Sequence, residues 1–154
     1  MANRVPPQNI EAEQSILGAL MISKDAIASV LGQIHPEDFY VNRHAEMFNA
    51  ILSLYQKNEA IDVITVVDEL NKLNLLDKAG GREYIVDVLN SVPTAANVHH
   101  YVDIVKEKSM LRKMITVGTD VVSKAFEDSE ESEEILNGTI KDFMEISKAS
   151  TDNY

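Results

Sequence analysis

The sequence contains no cysteine, and it has only four prolines and six glycines among 154 residues. Without cysteine the chain can form no disulfide, use no thiol nucleophile and bind no metal through thiolates, a composition that suits a cytoplasmic protein. No glycine is followed by lysine, so the chain contains no phosphate-binding loop of the G-x-x-x-x-G-K-[ST] type. These absences exclude the commonest nucleotide-hydrolysing and thiol-dependent enzymes.

Long apolar runs and a basic leader segment are also missing, which predicts neither a membrane span nor a signal peptide. We therefore expect a cytoplasmic location. Acidic residues outnumber basic ones, and the formal net charge is −11. Because phosphate binding depends on clustered lysine and arginine, direct nucleic-acid binding by this chain alone is not expected.

The side chains that could carry catalysis are not arranged for it. His99 and His100 are adjacent, so on a helix their rings point apart and cannot bind one ion together. His44 lies on an apolar helix face and is interpreted as a core residue. Glu11 and Glu13 fall in a first helical turn, where carboxylates complement the helix dipole. The sequence predicts no catalytic, cofactor-binding or metal site, and an enzyme with an unrecognised acid/base site has no cluster to support it.

Hydrophobic residues make up 45% of the chain, and most of them recur at helical spacing. Residues 42–56 form the clearest amphipathic segment. Residues 61–67 contain a β-branched run that could be a strand. We favour a helix beginning at Asp62, because apolar residues continue at helical spacing as far as Leu73.

The longest helical pattern runs from Val98 to about Phe126 and carries two apolar stripes. The first consists of Tyr101, Ile104, Lys108, Leu111, Ile115, Gly118, Val122 and Ala125, and the second of Met110, Met114, Val117 and Val121. A last helix, about Glu133 to Lys148, can cover only one of them. We expect a hairpin from a second copy to cover the other, since C2 contacts are the commonest way to bury a shared stripe. The alternative is that the short helices fold back over it.

The predicted fold class is all-α, with a compact bundle of short helices followed by a protruding antiparallel helical hairpin. Residues 1–8 form an extended arm because Pro6 and Pro7 favour polyproline geometry. Residues 9–96 form the bundle, residues 97–148 the hairpin, and residues 149–154 a tail without pattern. From the residues alone, the chain is an acidic helical interaction module that associates with itself.

Several blocks of the sequence resemble the N-terminal domain of bacterial replicative DNA helicases of the DnaB type. They occur in the family's order and spacing over residues 4–147. The blocks are 4–18 (RVPPQNIEAEQSILG), 36–40 (PEDFY), 61–66 (IDVITV), 80–81 (GG) and 91–98 (SVPTAANV), the last followed by Tyr101, Ile104 and Val105.

The resemblance implies the N-terminal part of an ATP-dependent 5'-3' DNA helicase whose motor, with its ATP and Mg site, lies in another domain. In the family these domains pair through their hairpins, and three pairs form a collar on the hexameric ring. The collar docks the C-terminal domain of primase, and loader factors use it as well. A free-standing helical adaptor or regulator without a motor is the alternative reading.

Two sets of residues follow from these readings. The apolar stripes and the last helix predict a self-association surface of Met110, Leu111, Met114, Val117, Val121, Ile140 and Phe143. The resemblance implies a primase-facing surface of Glu11, Tyr84, Arg112, Ile115 and Val121. Tyr84 and Arg112 suit such a role, since aromatic and arginine side chains dominate interface energies. As alternatives, Tyr84 is a core residue and Arg112 an exposed helical charge.

Overall fold

The structure, a computed structural model, describes residues 4–92 and 95–151. These residues form a short 3-10 turn at Pro36–Asp38 and seven α-helices, and they contain no strand. The helices are α1 (Ile10–Ile22), α2 (Lys24–Val30), α3 (Asn42–Gln56), α4 (Val63–Lys72), α5 (Gly81–Asn90), α6 (Val98–Glu127) and α7 (Ser132–Thr151). The all-α prediction is confirmed, and none of these helices is long and apolar enough to cross a membrane.

Parts of three predicted segments lie outside the described residues. They are residues 1–3 of the predicted arm, Pro93 and Thr94 of the predicted loop before α6, and residues 152–154 of the predicted tail. The described end of the tail continues α7 to Thr151, three residues beyond the predicted end at Lys148.

The helix starts follow from local capping. The Asn9 side chain accepts a hydrogen bond from the backbone N–H of Ala12 at 2.9 Å, as an N-cap does. Asp62 and Thr65 cap α4 reciprocally, each side chain accepting from the other's backbone N–H at 2.9 Å. Residues 63–67 are therefore helical, which confirms the preferred reading of the β-branched run.

The chain divides into two compact units, Gln8–Glu107 and Met1–Pro7 with Lys108–Tyr154. In the first unit α1 packs against α2, α3 and α5, and α4 packs against α3 and α5. Its core also contains Val98, Val102 and Val105 from the start of α6. The largest side chains that are fully buried there include Phe48, Ile16, Leu17, Leu20, Met47, Ile51, Leu54, Leu70 and Ile85. Whether segments 9–96 and 97–148 are separate domains stays a prediction.

In the second unit the turn at residues 128–131 joins α6 to α7. The less exposed residues of α7 recur on one side, at positions 135, 139, 142, 146 and 150. A hydrogen bond from Lys124 to Asp120 raises the pKa of Lys124, and Asp142 on α7 adds to the rise. The less exposed side of α7, which includes Asp142, is the side that packs within the second unit.

One buried charge in the first unit was not foreseen from the sequence. Glu69 on α4 is only 1% exposed. Its carboxylate accepts hydrogen bonds from Lys57 Nζ at 3.0 and 2.8 Å and from the hydroxyl of Ser53. The bond from Lys57, followed by that from Ser53, lowers the pKa of Glu69. The pair ties the end of α3 to the middle of α4.

This contact predicts a specific loss of stability in acid. The folded pKa of Glu69 lies below the ordinary value of 4.5, so its contribution is fully present above that pH. It is lost as the pH falls through the folded pKa. As the pH is lowered from 4.5 through the folded pKa of Glu69, we expect the urea midpoint of unfolding to fall. It should fall less steeply in Lys57→Met, in which the pKa of Glu69 is lowered less. Lys124→Met, which breaks the exposed pair with Asp120 on α6, serves as the control. An identical acid dependence in Lys57→Met and the unsubstituted chain would contradict this account.

Candidate interaction surfaces

A buried polar network centres on Glu13, a residue of the first turn of α1. Glu13 is 1% exposed and His44 is fully buried. The Glu13 carboxylate accepts the backbone N–H of Tyr40 at 2.7 Å and that of Val41 at 3.2 Å. It also contacts His44 Nδ1 at 2.7 Å. Glu13 therefore does more than complement the helix dipole, because it joins α1 to the start of α3.

The network continues from His44 to Tyr84 on α5. His44 Nε2 lies 2.6 Å from the Tyr84 hydroxyl, and the two rings are inclined by 15°. The side-chain amide of Gln14 donates to the same hydroxyl at 3.3 Å. The prediction that His44 is a satisfied core residue is confirmed, since both of its ring nitrogens are hydrogen-bonded. Tyr84 itself is half-buried, and the Arg43 guanidinium lies 5.0 Å from the centre of its ring.

Gly80 and Gly81, the glycine pair of the sequence, lie at the start of α5, and Gly80 also borders the Tyr84 ring. Both residues have positive φ, +95° and +80°, which glycine adopts without strain. A Cβ on Gly80 would lie 2.9 Å from Cβ and Cγ of Tyr84, whereas a Cβ on Gly81 would meet nothing within 4 Å. The bare Gly80 backbone therefore leaves room for the Tyr84 ring.

Alanine substitutions separate the need for a positive φ, which both glycines meet, from the need for space beside the Tyr84 ring, which only Gly80 meets. Gly81→Ala should lower the free energy of unfolding by about 1–2 kcal/mol, the usual cost of left-handed backbone in a residue with a Cβ. Gly80→Ala should lower it by roughly 1 kcal/mol more, because its Cβ also overpacks against Tyr84. Urea unfolding of the two variants measures the difference. Equal losses would show that Gly80 does not constrain the ring.

The second unit exposes large apolar side chains on both of its helices. On α7 the exposed fractions are 58% for Leu136, 48% for Ile140 and 66% for Met144. Spacings of three and four place these residues on one face with Phe143. On α6 the exposed apolar residues are Met114, Ile115, Val122 and Phe126. We call these eight residues the apolar face of the second unit.

The predicted self-association residues divide by exposure. Met114, Ile140 and Phe143 belong to the apolar face. The remainder, Met110, Leu111, Val117 and Val121, are half-buried within the chain. The sequence showed that α6 has two stripes, and the structure shows that the distal part of the first one, with Ile115 and Val122, is the more exposed.

The predicted primase-facing residues lie in both units. Glu11 is exposed in the first turn of α1, and Tyr84 belongs to the network described above. In the second unit Ile115 is 51% exposed and Val121 is half-buried. Arg112 is half-buried, and its guanidinium donates a hydrogen bond to the backbone carbonyl of Pro7 at 2.7 Å. Arg112 thus holds the arm against α6, a contact with no signature in the spacing of the sequence.

Comparison with known proteins gives these surfaces a context. The family model described as the DnaB-like helicase N-terminal domain matches residues 5–107. The chain belongs to this family. Within the described residues, no group of three or more His, Asp or Glu side chains is placed to hold a metal ion. The DnaB-like match covers the whole of the first unit, including the Glu13–His44–Tyr84 network.

Curated relatives in the family are much longer than this chain. The replicative DNA helicase DnaC of Bacillus subtilis is 40% identical over 146 residues, which are 95% of this chain and 32% of that protein. The replicative DNA helicase DnaB of Leifsonia xyli is 44% identical over 134 residues, which are 87% of this chain and 29% of that protein. The chain spans less than a third of the length of these relatives.

Two solved structures share the fold. The crystal structure of the N-terminal domain of DnaB helicase from Mycobacterium tuberculosis matches with a TM-score of 0.87 and 39% identity. The match covers 92% of this chain and 99% of that domain. A DnaB-like replicative helicase, whose structure was described together with its interactions with primase, matches with a TM-score of 0.72. Its identity is 20%, so this second likeness shows the fold alone; it covers 90% of this chain and 31% of the helicase chain.

Proposed function

We propose that this chain is the N-terminal interaction domain of a hexameric replicative DNA helicase. It associates with itself through α6 and α7, and three such pairs build a collar on the ring. The collar docks the C-terminal domain of primase and serves helicase loaders. ATP hydrolysis and 5'-3' unwinding belong to a motor domain that this chain does not contain. Family membership and relatives named as replicative DNA helicases support this assignment.

The observation that carries the self-association part is the apolar face of the second unit. Phe126 is 87% exposed, and several large apolar side chains on α7 are between 39% and 66% exposed. Large apolar side chains exposed together on two helices that follow each other in the chain mark an interaction site more often than a surface in contact with water. A second copy fits it best, because a two-fold contact between identical stripes covers both at once.

The proposal that this domain docks primase rests on the family resemblance of the sequence and on the chemical character of the residues that the resemblance implies. Tyr84 and Arg112 are partly exposed and fixed by their own hydrogen bonds, as interface anchors commonly are. The DnaB-like helicase that shares this fold has a structure described with its interactions with primase. The residues proposed for docking remain Glu11, Tyr84, Arg112, Ile115 and Val121.

Light scattering over a concentration series tests self-association directly. We expect the mass of a dimer, or of a higher multiple of it, at tens of micromolar chain. A mass that stays at the 17.2 kDa of one chain throughout the series would contradict pairing through α6 and α7.

A further inference from the structure

Tyr84 is restrained from several directions by neighbours within the first unit. His44 and Gln14 hold its hydroxyl, at 2.6 and 3.3 Å. The Arg43 guanidinium lies over its ring, and the backbone of Gly80 passes close to its Cβ and Cγ. The hydroxyl points into the unit while part of the side chain remains exposed. A residue at the edge of the surface is thereby tied to a fully buried network.

The hydrogen-bond roles in this network assign the protons. The Glu13 carboxylate accepts two backbone N–H groups, as its ionised form does. The proton between Glu13 and His44 therefore belongs to Nδ1 of the imidazole. The tautomer with its proton on Nδ1 satisfies every contact: Nδ1–H donates to Glu13, and Nε2 accepts the Tyr84 hydroxyl proton while the hydroxyl oxygen accepts from Gln14. We take this tautomer as part of the inference.

The network runs from the core to the surface, where it ends at the half-buried Tyr84 beside the exposed Arg43. Among the described residues no buried side-chain nitrogen or oxygen lacks a partner, so the network holds Tyr84 without leaving an unpaired group. Fixing a side chain before binding removes the entropy that its ordering would otherwise cost on docking.

We propose that His44, oriented by Glu13, is a positioning residue that holds Tyr84 in the orientation required for docking a protein partner. This inference rests on the proposed function, in which Tyr84 contacts the C-terminal domain of primase. His44 touches no partner and acts through the Tyr84 hydroxyl. Any substitution that retains a polar group at the position of Nε2 should therefore retain docking.

Asparagine and glutamine at position 44 separate the contact made by Nδ1 from the contact made by Nε2. The asparagine amide nitrogen lies as many bonds from Cα as Nδ1, so His44→Asn retains the donor to Glu13 and loses the contact with Tyr84. The glutamine amide reaches as far as Nε2, so His44→Gln retains the contact with Tyr84. Tyr84→Phe removes the hydroxyl and leaves the ring in place.

Binding of the C-terminal domain of the cognate primase to these variants is measured by calorimetry. His44→Asn and Tyr84→Phe should each weaken binding about fivefold, the effect of one hydrogen bond of ordinary strength. His44→Gln should bind close to the unsubstituted chain. The double variant His44→Asn with Tyr84→Phe should be no weaker than either single variant, because both remove the same contact. Additive losses, or equal losses in His44→Asn and His44→Gln, would overturn the proposal.

A spectroscopic measurement on the chain without a partner tests whether His44 positions Tyr84, independently of docking. Long-range ¹H–¹⁵N correlation should show His44 protonated at Nδ1 and unprotonated at Nε2. The two sides of the Tyr84 ring should give averaged signals in His44→Asn and separate signals in His44→Gln, apart from the shift that loss of the neighbouring imidazole ring causes in both variants. The opposite tautomer, or separate signals from the two sides of the ring in His44→Asn, would overturn positioning whether or not primase binds.

The two measurements distinguish failure of this inference from failure of the proposed function. If the unsubstituted chain does not bind the primase domain, the proposed function fails, and the docking role of His44 fails with it. If it binds and Tyr84→Phe binds equally well, only the positioning role fails. If His44→Asn does not fold, Tyr84→Phe and the tautomer decide the matter.

Discussion

Replacing Glu13 with alanine should destabilise the fold by about 3–5 kcal/mol, because it leaves three buried donors without an acceptor at about 1–3 kcal/mol each. The carboxylate is 1% exposed and serves three donors, namely the backbone N–H groups of Tyr40 and Val41 and Nδ1 of His44. Alanine leaves all three without their acceptor in a place that water does not reach easily. Each unsatisfied donor carries its own desolvation penalty.

Glu11→Ala is the matched control for this prediction. Glu11 lies two residues earlier in the same helical turn and is exposed, so its loss removes a favourable helix-dipole interaction of roughly 0.3–1 kcal/mol. Urea unfolding at neutral pH measures both variants. Similar losses for Glu11→Ala and Glu13→Ala would mean that the dipole, and not the buried network, accounts for the effect of Glu13.

Introducing a charge into the apolar face of the second unit should abolish self-association. Ile140 is 48% exposed on α7 and is flanked on that face by Leu136 and Phe143. In a two-fold pair Ile140→Glu buries a carboxylate from each copy, so its penalty is incurred twice. We expect the dissociation constant of the pair to rise on the order of 100-fold or more. Light scattering and sedimentation velocity at tens of micromolar would then report one chain.

Lys141→Glu controls for charge alone. Position 141 is exposed and lies about 100° around the helix from Ile140, on the side away from Leu136 and Phe143. The substitution changes the net charge more than Ile140→Glu does. If Lys141→Glu dissociates the pair equally, the cause is general repulsion in an acidic chain. If neither variant changes the mass of a chain that does pair, the contact lies elsewhere.

Local features of the fold were predictable from the sequence because their causes lie within a few residues. Asp62 and Thr65 are three positions apart, and their reciprocal cap made residues 63–67 helical in spite of their β-branched side chains. The amphipathic segment 42–56 coincides with α3. Periodicity likewise revealed both stripes of α6. It could not tell which stripe α7 covers, since that depends on how the hairpin turns.

The candidate site depends on contacts between residues that are distant in sequence. Glu13 lies 31 residues from His44, and His44 lies 40 residues from Tyr84. No spacing rule connects such positions, so Glu13 was assigned only its helix-dipole role and His44 only a place in the core. Arg112 meets the Pro7 carbonyl across 105 residues. The glycine pair was the feature of the site visible in the local sequence. Gly80 has a positive φ, and its lack of a Cβ leaves room for Tyr84.

A calorimetric titration of this chain with the C-terminal domain of its cognate primase tests the central claim most directly. The state of self-association is established by light scattering in the same buffer. We predict saturable binding by a dimeric chain, weakened by Tyr84→Phe. A cleanly folded dimer that shows no heat of binding, confirmed by the absence of a complex in sedimentation, would contradict primase docking by this domain.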